Sequence, residues 1–272
     1  MTEKNLSNIA IHTITNRPWT TEQCIEEYSK AGIGGITFWR YSFEGRDPKK
    51  VGEQARNAGL NVVSVARGGF FAAESKEDRE KAIDDNKKAI DETHAVGAPS
   101  LVLVCGSSKH QSLDTSRGQI QDGIAECLEH AKDAEVILAI EPLHPMYAAE
   151  RSAINNMAQA NTICENLDNH PNVGVALDVY HTWWDEKLSE EISRSFNNGN
   201  LTSYHICDWL SPMEDMLNDR GLMGEGSIDI NQISKWVTES GFTGFHEVEI
   251  FSERWWKIDQ HDYLNKLISY FE

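Results

Sequence analysis

The sequence predicts a (β/α)₈ barrel, on three observations. Short strand-like runs alternate eight times with stretches of helical length, the turns between them are brief, and no Pro/Ser-rich linker or composition shift marks a second domain across the 272 residues. A doubly wound sheet describes that alternation less well. A length of 272 residues also suits one such domain.

Asn8–His12 reads as the first strand, and Thr20–Ala31 as a helix with Thr20 or Thr21 as its N-cap. Gly34–Trp39 is the second strand, and Asp47-Pro48 opens a helix to Ala58 with proline at its first position. Leu60–Ala66 is a third strand, ended by Arg67-Gly68-Gly69, before a long charged helix at Lys76–Val96. Ser100–Cys105 and the helix Ser112–Ala134 follow. The fifth strand, within Val136–Glu141, is an apolar run that stops at a carboxylate because Pro142 cannot donate to a ladder. The second half continues with a helix at Ile154–Leu167, a strand at Val173–Asp178, a helix at Glu186–Phe196 and a strand at Leu201–Cys207. A long loop, Asp208–Ser227, leads to a helix at Ile228–Ser240, the eighth strand at Phe245–Ile250 and a closing helix at Gln260–Phe271.

The formal net charge of −18 opposes an extended nucleic-acid or anionic-membrane surface, though not a small anion in a locally basic pocket. The five cysteines are odd in number and lack CxxC spacing, so they read as reduced thiols. No apolar leader opens the chain and no run approaches a membrane span, which gives a soluble, cytoplasmic expectation. Walker, GxGxxG and GxSxG patterns are absent in the contexts that would make them meaningful.

In such a barrel, functional groups gather at the C-terminal ends of strands. Glu141, Asp178, His205 and Glu249 end or nearly end strands five to eight. Each alone reads as an ion-paired or satisfied polar group. Together, three carboxylates repel one another unless a cation intervenes, and the set suits Mn²⁺ or Mg²⁺, with Co²⁺ and Zn²⁺ as further options. Glu247 shares the parity of Glu249 and falls one layer deeper, whereas His246 points toward the helices. Arg67 and His12, at the ends of strands three and one, are pocket candidates, His12 having a structural alternative. Trp39, Trp183, Trp184, Trp209, Trp255 and Trp256 fall at or beyond strand ends and suggest an aromatic wall, structural packing or a subunit contact.

Glu-Pro-Leu-His-Pro (141–145), Leu-Asp-Val-Tyr-His (177–181), His-Ile-Cys-Asp (205–208), Gly-Glu-Gly-Ser-Ile-Asp (224–229) and Glu-Val-Glu-Ile-Phe (247–251) resemble the xylose-isomerase-like sugar isomerase/epimerase superfamily. The resemblance covers nearly the whole chain. It implies Glu141, Asp178, His205 and Glu249 as ligands of one divalent ion, with Glu141 and Glu249 as an acid/base pair. It also implies substrate contacts from His181 and Arg220. Two departures stand out: Tyr147 replaces the second glutamate of the ketohexose 3-epimerases, and His144 replaces their asparagine. His144 is either an additional base or a loop histidine, and Asp208 either orients a ligand or begins the loop.

The function expected is isomerisation or epimerisation of an oxo-sugar or polyol derivative through an enediolate. A lyase or dehydratase sharing the first proton abstraction is the alternative. An endonuclease IV-like enzyme lacks the further histidines it would need, and a non-catalytic sugar-binding barrel is a third reading. A small sugar is the expected partner, with a homo-oligomer or partner subunit left open.

Overall fold

A computed structural model describes residues 6–271. The reading of residues 1–5 as free of a leader lies outside this range. Among the described residues ten strands occur in chain order: β1 (Ile9–His12), β2 (Gly35–Trp39), β3 (Asn61–Gly69), β4 (Ser100–Val104), β5 (Ile137–Glu141), β6 (Val173–Asp178), β7 (Leu201–Ile206), β8 (Asp208–Trp209), β9 (Arg220–Gly221) and β10 (His246–Val248). Eight of them close a parallel barrel in the order β1-β10-β7-β6-β5-β4-β3-β2, which confirms the predicted fold. The other two, β8 and β9, form an antiparallel ribbon inside the long loop, a feature the sequence reading missed.

The strands are wrapped by α1 (Thr21–Lys30), α2 (Pro48–Asn57), α3 (Lys76–Val96), α4 (Leu113–Asp133), α5 (Met157–Asn166), the single turn α6 (Val179–Thr182), α7 (Leu188–Asn197), α8 (Ile230–Ser240), the short α9 (Glu253–Trp256) and α10 (Gln260–Ile268). Local chemistry sets their starts. Thr20 and Gln23 form a reciprocal capping box on α1, and Asp47 caps α2 with Pro48 at its first position. The expected helix start at Ile154 is corrected to Met157, because the Asn156 side chain caps the Gln159 N–H.

The expected end of β3 at Ala66 is also corrected. The strand runs on to Gly69, whose N–H and C=O are both held at 2.7 Å by the amide of Asn86 on α3. A Cβ on Gly68 would fall 2.5 Å from Asn86 Oδ1, so glycine there lets that amide approach.

Strand parity organises the barrel. Leu138 and Ile140 face outward into the large apolar layer between strands and helices. Ala139 faces inward with Ala66, Val102 and Ala176 to form a small apolar cluster inside the barrel. Glu141 and Asp178 lie two residues beyond Ala139 and Ala176 on the same face, so the strands aim both carboxylates at the barrel mouth. No helix among the described residues is long and apolar enough to cross a membrane.

Candidate active site

Glu141, Asp178, His205 and Glu249 converge, each offering a ligand atom within 4.8 Å of the others. They come from β5, β6, β7 and the residue just past β10, which are neighbours around the barrel. All four are buried. Glu141 Oε1 lies 3.1 Å from His205 Nδ1, and Arg220 Nη1 lies 3.0 Å from both Asp178 Oδ2 and Glu249 Oε2.

The electrostatics are those of crowded anions. Burial raises the Asp178 pKa, and Glu141 and Glu249 add to the rise against the pull of Arg220. Burial alone would lower that of His205, but Glu247, Glu141 and Glu249 carry it up to about 10. Three carboxylates and one imidazole form a donor set that fits a hard or borderline divalent cation.

A second polar layer supports the first. Glu247 accepts hydrogen bonds from Thr37 Oγ1 at 2.6 Å and Ser64 Oγ at 2.9 Å, as the parity argument expected of an interior carboxylate. His12 is fully buried between Glu247 Oε2 at 3.2 Å and Glu249 Oε1 at 2.9 Å, as ion-pair contacts without hydrogen-bond alignment. Burial disfavours its charged ring, yet the two glutamates hold its pKa above the ordinary histidine value. His12, His205 and Glu247 make a second, deeper cluster whose candidate donor atoms also lie within 4.8 Å of one another.

Above the quartet lies a cavity with about 400 Å³ of empty space, part of it open to solvent. Of the residues singled out from sequence, Trp39, Arg67, Glu141, His181, Arg220 and Glu249 line it. His12 lies beneath it instead. The His144 ring is turned aside, 5.9 Å from Trp184 and 4.7 Å from Trp209, while its backbone N–H donates to His181 Nδ1 at 3.3 Å. The aromatic wall reduces to Trp39, 5.2 Å from Phe251. Trp183, Trp184 and Trp209 gather on the other side of His144, and Trp255 stacks on Tyr263.

Tyr147, Arg151, Leu217 and Phe251 also line the cavity. Only two of these had a signal in the chain: Phe251 shares the parity of Glu249, and Tyr147 occupies the departed glutamate's place. Arg151 and Leu217 sit in loops whose path no local pattern specifies.

Arg220 is placed by a backbone device. Asp208 gathers the N–H groups of Trp209 and Ile228 on Oδ1, and of Gly224 and Gly226 on Oδ2, at 2.8–3.0 Å. That folds the loop so that Trp209 pairs with Arg220 in the ribbon. The Arg220 guanidinium then lies 4.4 Å from the Tyr180 ring and 3.2 Å from His181 Nε2. Burial opposes its charge, but Asp178, Cys207 and Glu249 more than offset this. Burial and then Arg220 push the His181 pKa well down, which keeps that ring neutral.

Residues 25–272 match the family described as xylose isomerase-like TIM barrel. The chain belongs to that family. The crystal structure of protein SMc04130 from Sinorhizobium meliloti 1021 is 42% identical, with 97% of each chain covered and a TM-score of 0.93. The IolI protein, in a crystal structure with a bound zinc atom, shares the fold at 18% identity and a TM-score of 0.81, over 97% of this chain and 99% of that one. The L-ribulose-5-phosphate 3-epimerase UlaE of Salmonella typhi is 24% identical over 177 residues, 64% of this chain. The chain spans 58% of the length of that curated relative.

Proposed function

We propose that this protein is a divalent-metal-dependent isomerase or epimerase of an oxo-sugar or polyol derivative, acting by proton transfer through an enediolate. The reading is carried by the convergence of Glu141, Asp178, His205 and Glu249 at the strand tips beside one cavity. Similarity to a named sugar-phosphate epimerase supports it. A bound Mn²⁺ or Mg²⁺ would polarise an oxo group and its neighbouring hydroxyl, acidifying the adjoining C–H.

Glu141 and Glu249 approach from strands on either side of the Asp178 and His205 strands. One carboxylate takes the C–H proton and the other delivers a proton to the opposite face, inverting the carbon. Burial alone would raise the Glu249 pKa, but His12 and then Arg220 hold it well below the usual range, so Glu249 begins as the ionised acceptor. Arg220 and His181 hold substrate oxygens, and Trp39 and Arg67 frame the outer cavity. His12 acts through Glu249 as a positioning residue, and His144 through His181.

The test is solvent exchange. Mn²⁺-loaded protein is incubated in D₂O with ketopentoses, ketohexoses, their phosphates and 3-oxo-glycosides. Deuterium is expected beside the carbonyl of one substrate, and Glu249→Gln abolishes its entry. Aglycone release without exchange, or no exchange on any member, would overturn the reading.

A further inference from the structure

The chain carries 43 acidic and 25 basic side chains, so a guanidinium without a carboxylate is unexpected in its interior. Arg40, Arg46, Arg117, Arg194, Arg220 and Arg254 each have a carboxylate within 3.0 Å, and Arg56 and Arg79 donate to backbone carbonyls. Among the described residues the Arg67 and Arg151 guanidiniums have neither an ion pair nor a hydrogen-bond acceptor, though both residues are partly buried and both line the cavity above the quartet. Arg67 lies 4.4 Å from the Phe70 ring and 6.0 Å from Trp39, and its Nε is buried with no hydrogen-bond partner. Arg151 lies 5.8 Å from the Tyr147 ring.

The two cations also disfavour each other. Burial first, and then the charge of Arg151, lower the Arg67 pKa to about 10 against the smaller opposing pull of Glu141 and Asp85. Confining two unpaired guanidiniums in one cavity is unfavourable, and an oxyanion bridging them would remove the cost while supplying acceptors for the free N–H groups. Guanidinium forks match phosphate and carboxylate geometry, and aromatic faces beside them fix their planes.

We propose that Arg67 and Arg151 form a subsite for an anionic group at the end of the substrate remote from the quartet, so that the substrate is a sugar phosphate or a sugar acid rather than a neutral sugar. The inference rests on the isomerase/epimerase reading for the word sugar, but not for the anion. The group is one with at least two acceptor oxygens, one for each fork. Arg220, already committed to Asp178 and Glu249, is left to the reacting end.

Isothermal titration of the Mn²⁺-loaded protein compares four probes: xylulose 5-phosphate, fructuronate, neutral xylulose and inorganic phosphate. One anionic sugar is expected to bind more tightly than xylulose, and which one identifies phosphate or carboxylate. Arg67→Met and Arg151→Met should each weaken that anionic probe by about 10- to 100-fold, the range for a lost charge-assisted hydrogen bond. Xylulose should weaken by a much smaller factor than the anionic probe, and the number of Mn²⁺ bound per chain should not change. Equal affinities for anionic and neutral sugars would overturn the proposal. So would weakening of all sugars in the same proportion, which marks a structural role for the arginines. Inorganic phosphate that binds only when both arginines are present, with no sugar bound at all, would support the anion subsite while sinking the sugar-isomerase reading.

Discussion

Asp208→Asn tests how the long loop delivers Arg220. The native carboxylate accepts two backbone N–H groups on each oxygen. An asparagine of the same shape keeps one oxygen and turns an NH₂ toward the other pair, whichever way the amide is flipped. Two charge-assisted hydrogen bonds are then replaced by donor facing donor. At ~1.5–3 kcal/mol each, the ceiling is ~3–6 kcal/mol. Gly224 and Gly226 are exposed and can be rehydrated, so the amide should turn its NH₂ toward them, and about 2–4 kcal/mol is expected. For a chain of this size the melting temperature should fall by roughly 4–8 °C. Calorimetry gives the stability, and turnover of the substrate found by solvent exchange reports on Arg220. A Tm within about 1 °C of wild type with full turnover would refute the reasoning, since surface substitutions away from such features change little.

Two further outcomes follow from single contacts. The Tyr147 hydroxyl donates to the carbonyl of Met216, tying the turn after β5 to the loop that carries Leu217 over the cavity. Tyr147→Phe should speed amide hydrogen exchange across residues 213–219 and cost about 0.5–1.5 kcal/mol, whereas unchanged exchange would show that the loop is held elsewhere. At the surface, Arg46 is the main cause that brings the Glu22 pKa from 4.5 to about 2. Because the folded value is depressed, the pair's contribution is present above pH 4.5 and fades as pH falls toward 2. With Arg46 35% and Glu22 52% exposed, solvent screening limits it to below about 1 kcal/mol. The stability gap between wild type and Arg46→Ala should therefore be small at pH 7, shrink below pH 4.5 and be nearly closed at pH 2. A gap that widens in acid would contradict the assignment.

The barrel and the quartet were legible in the chain because both rest on local pattern. Apolar runs that stop at Glu141 and Asp178 specify strand, parity and tip at once, and strand order then brings the groups together. The end of β3 was misread because Gly68 and Gly69 look like a turn until Asn86 of α3 is seen to hold the strand edge. The tryptophans illustrate the same limit. Proximity to a strand end does not say which way a ring turns, and only Trp39 turns into the cavity. Arg151 and the ribbon carrying Arg220 depend on loop paths set by contacts from distant segments, such as the Asp208 clamp reaching Ile228.

Metal stoichiometry tests the central claim most directly. Protein stripped with a chelator and dialysed against Mn²⁺ should take up one ion per chain at this site. Saturation at ~100 times the dissociation constant should stabilise the fold by about 2.7 kcal/mol. Glu141→Gln, Asp178→Asn and Glu249→Gln should each abolish both the uptake and the stabilisation. Wild-type protein that binds no ion, or variants that bind it as well as wild type, would contradict the account.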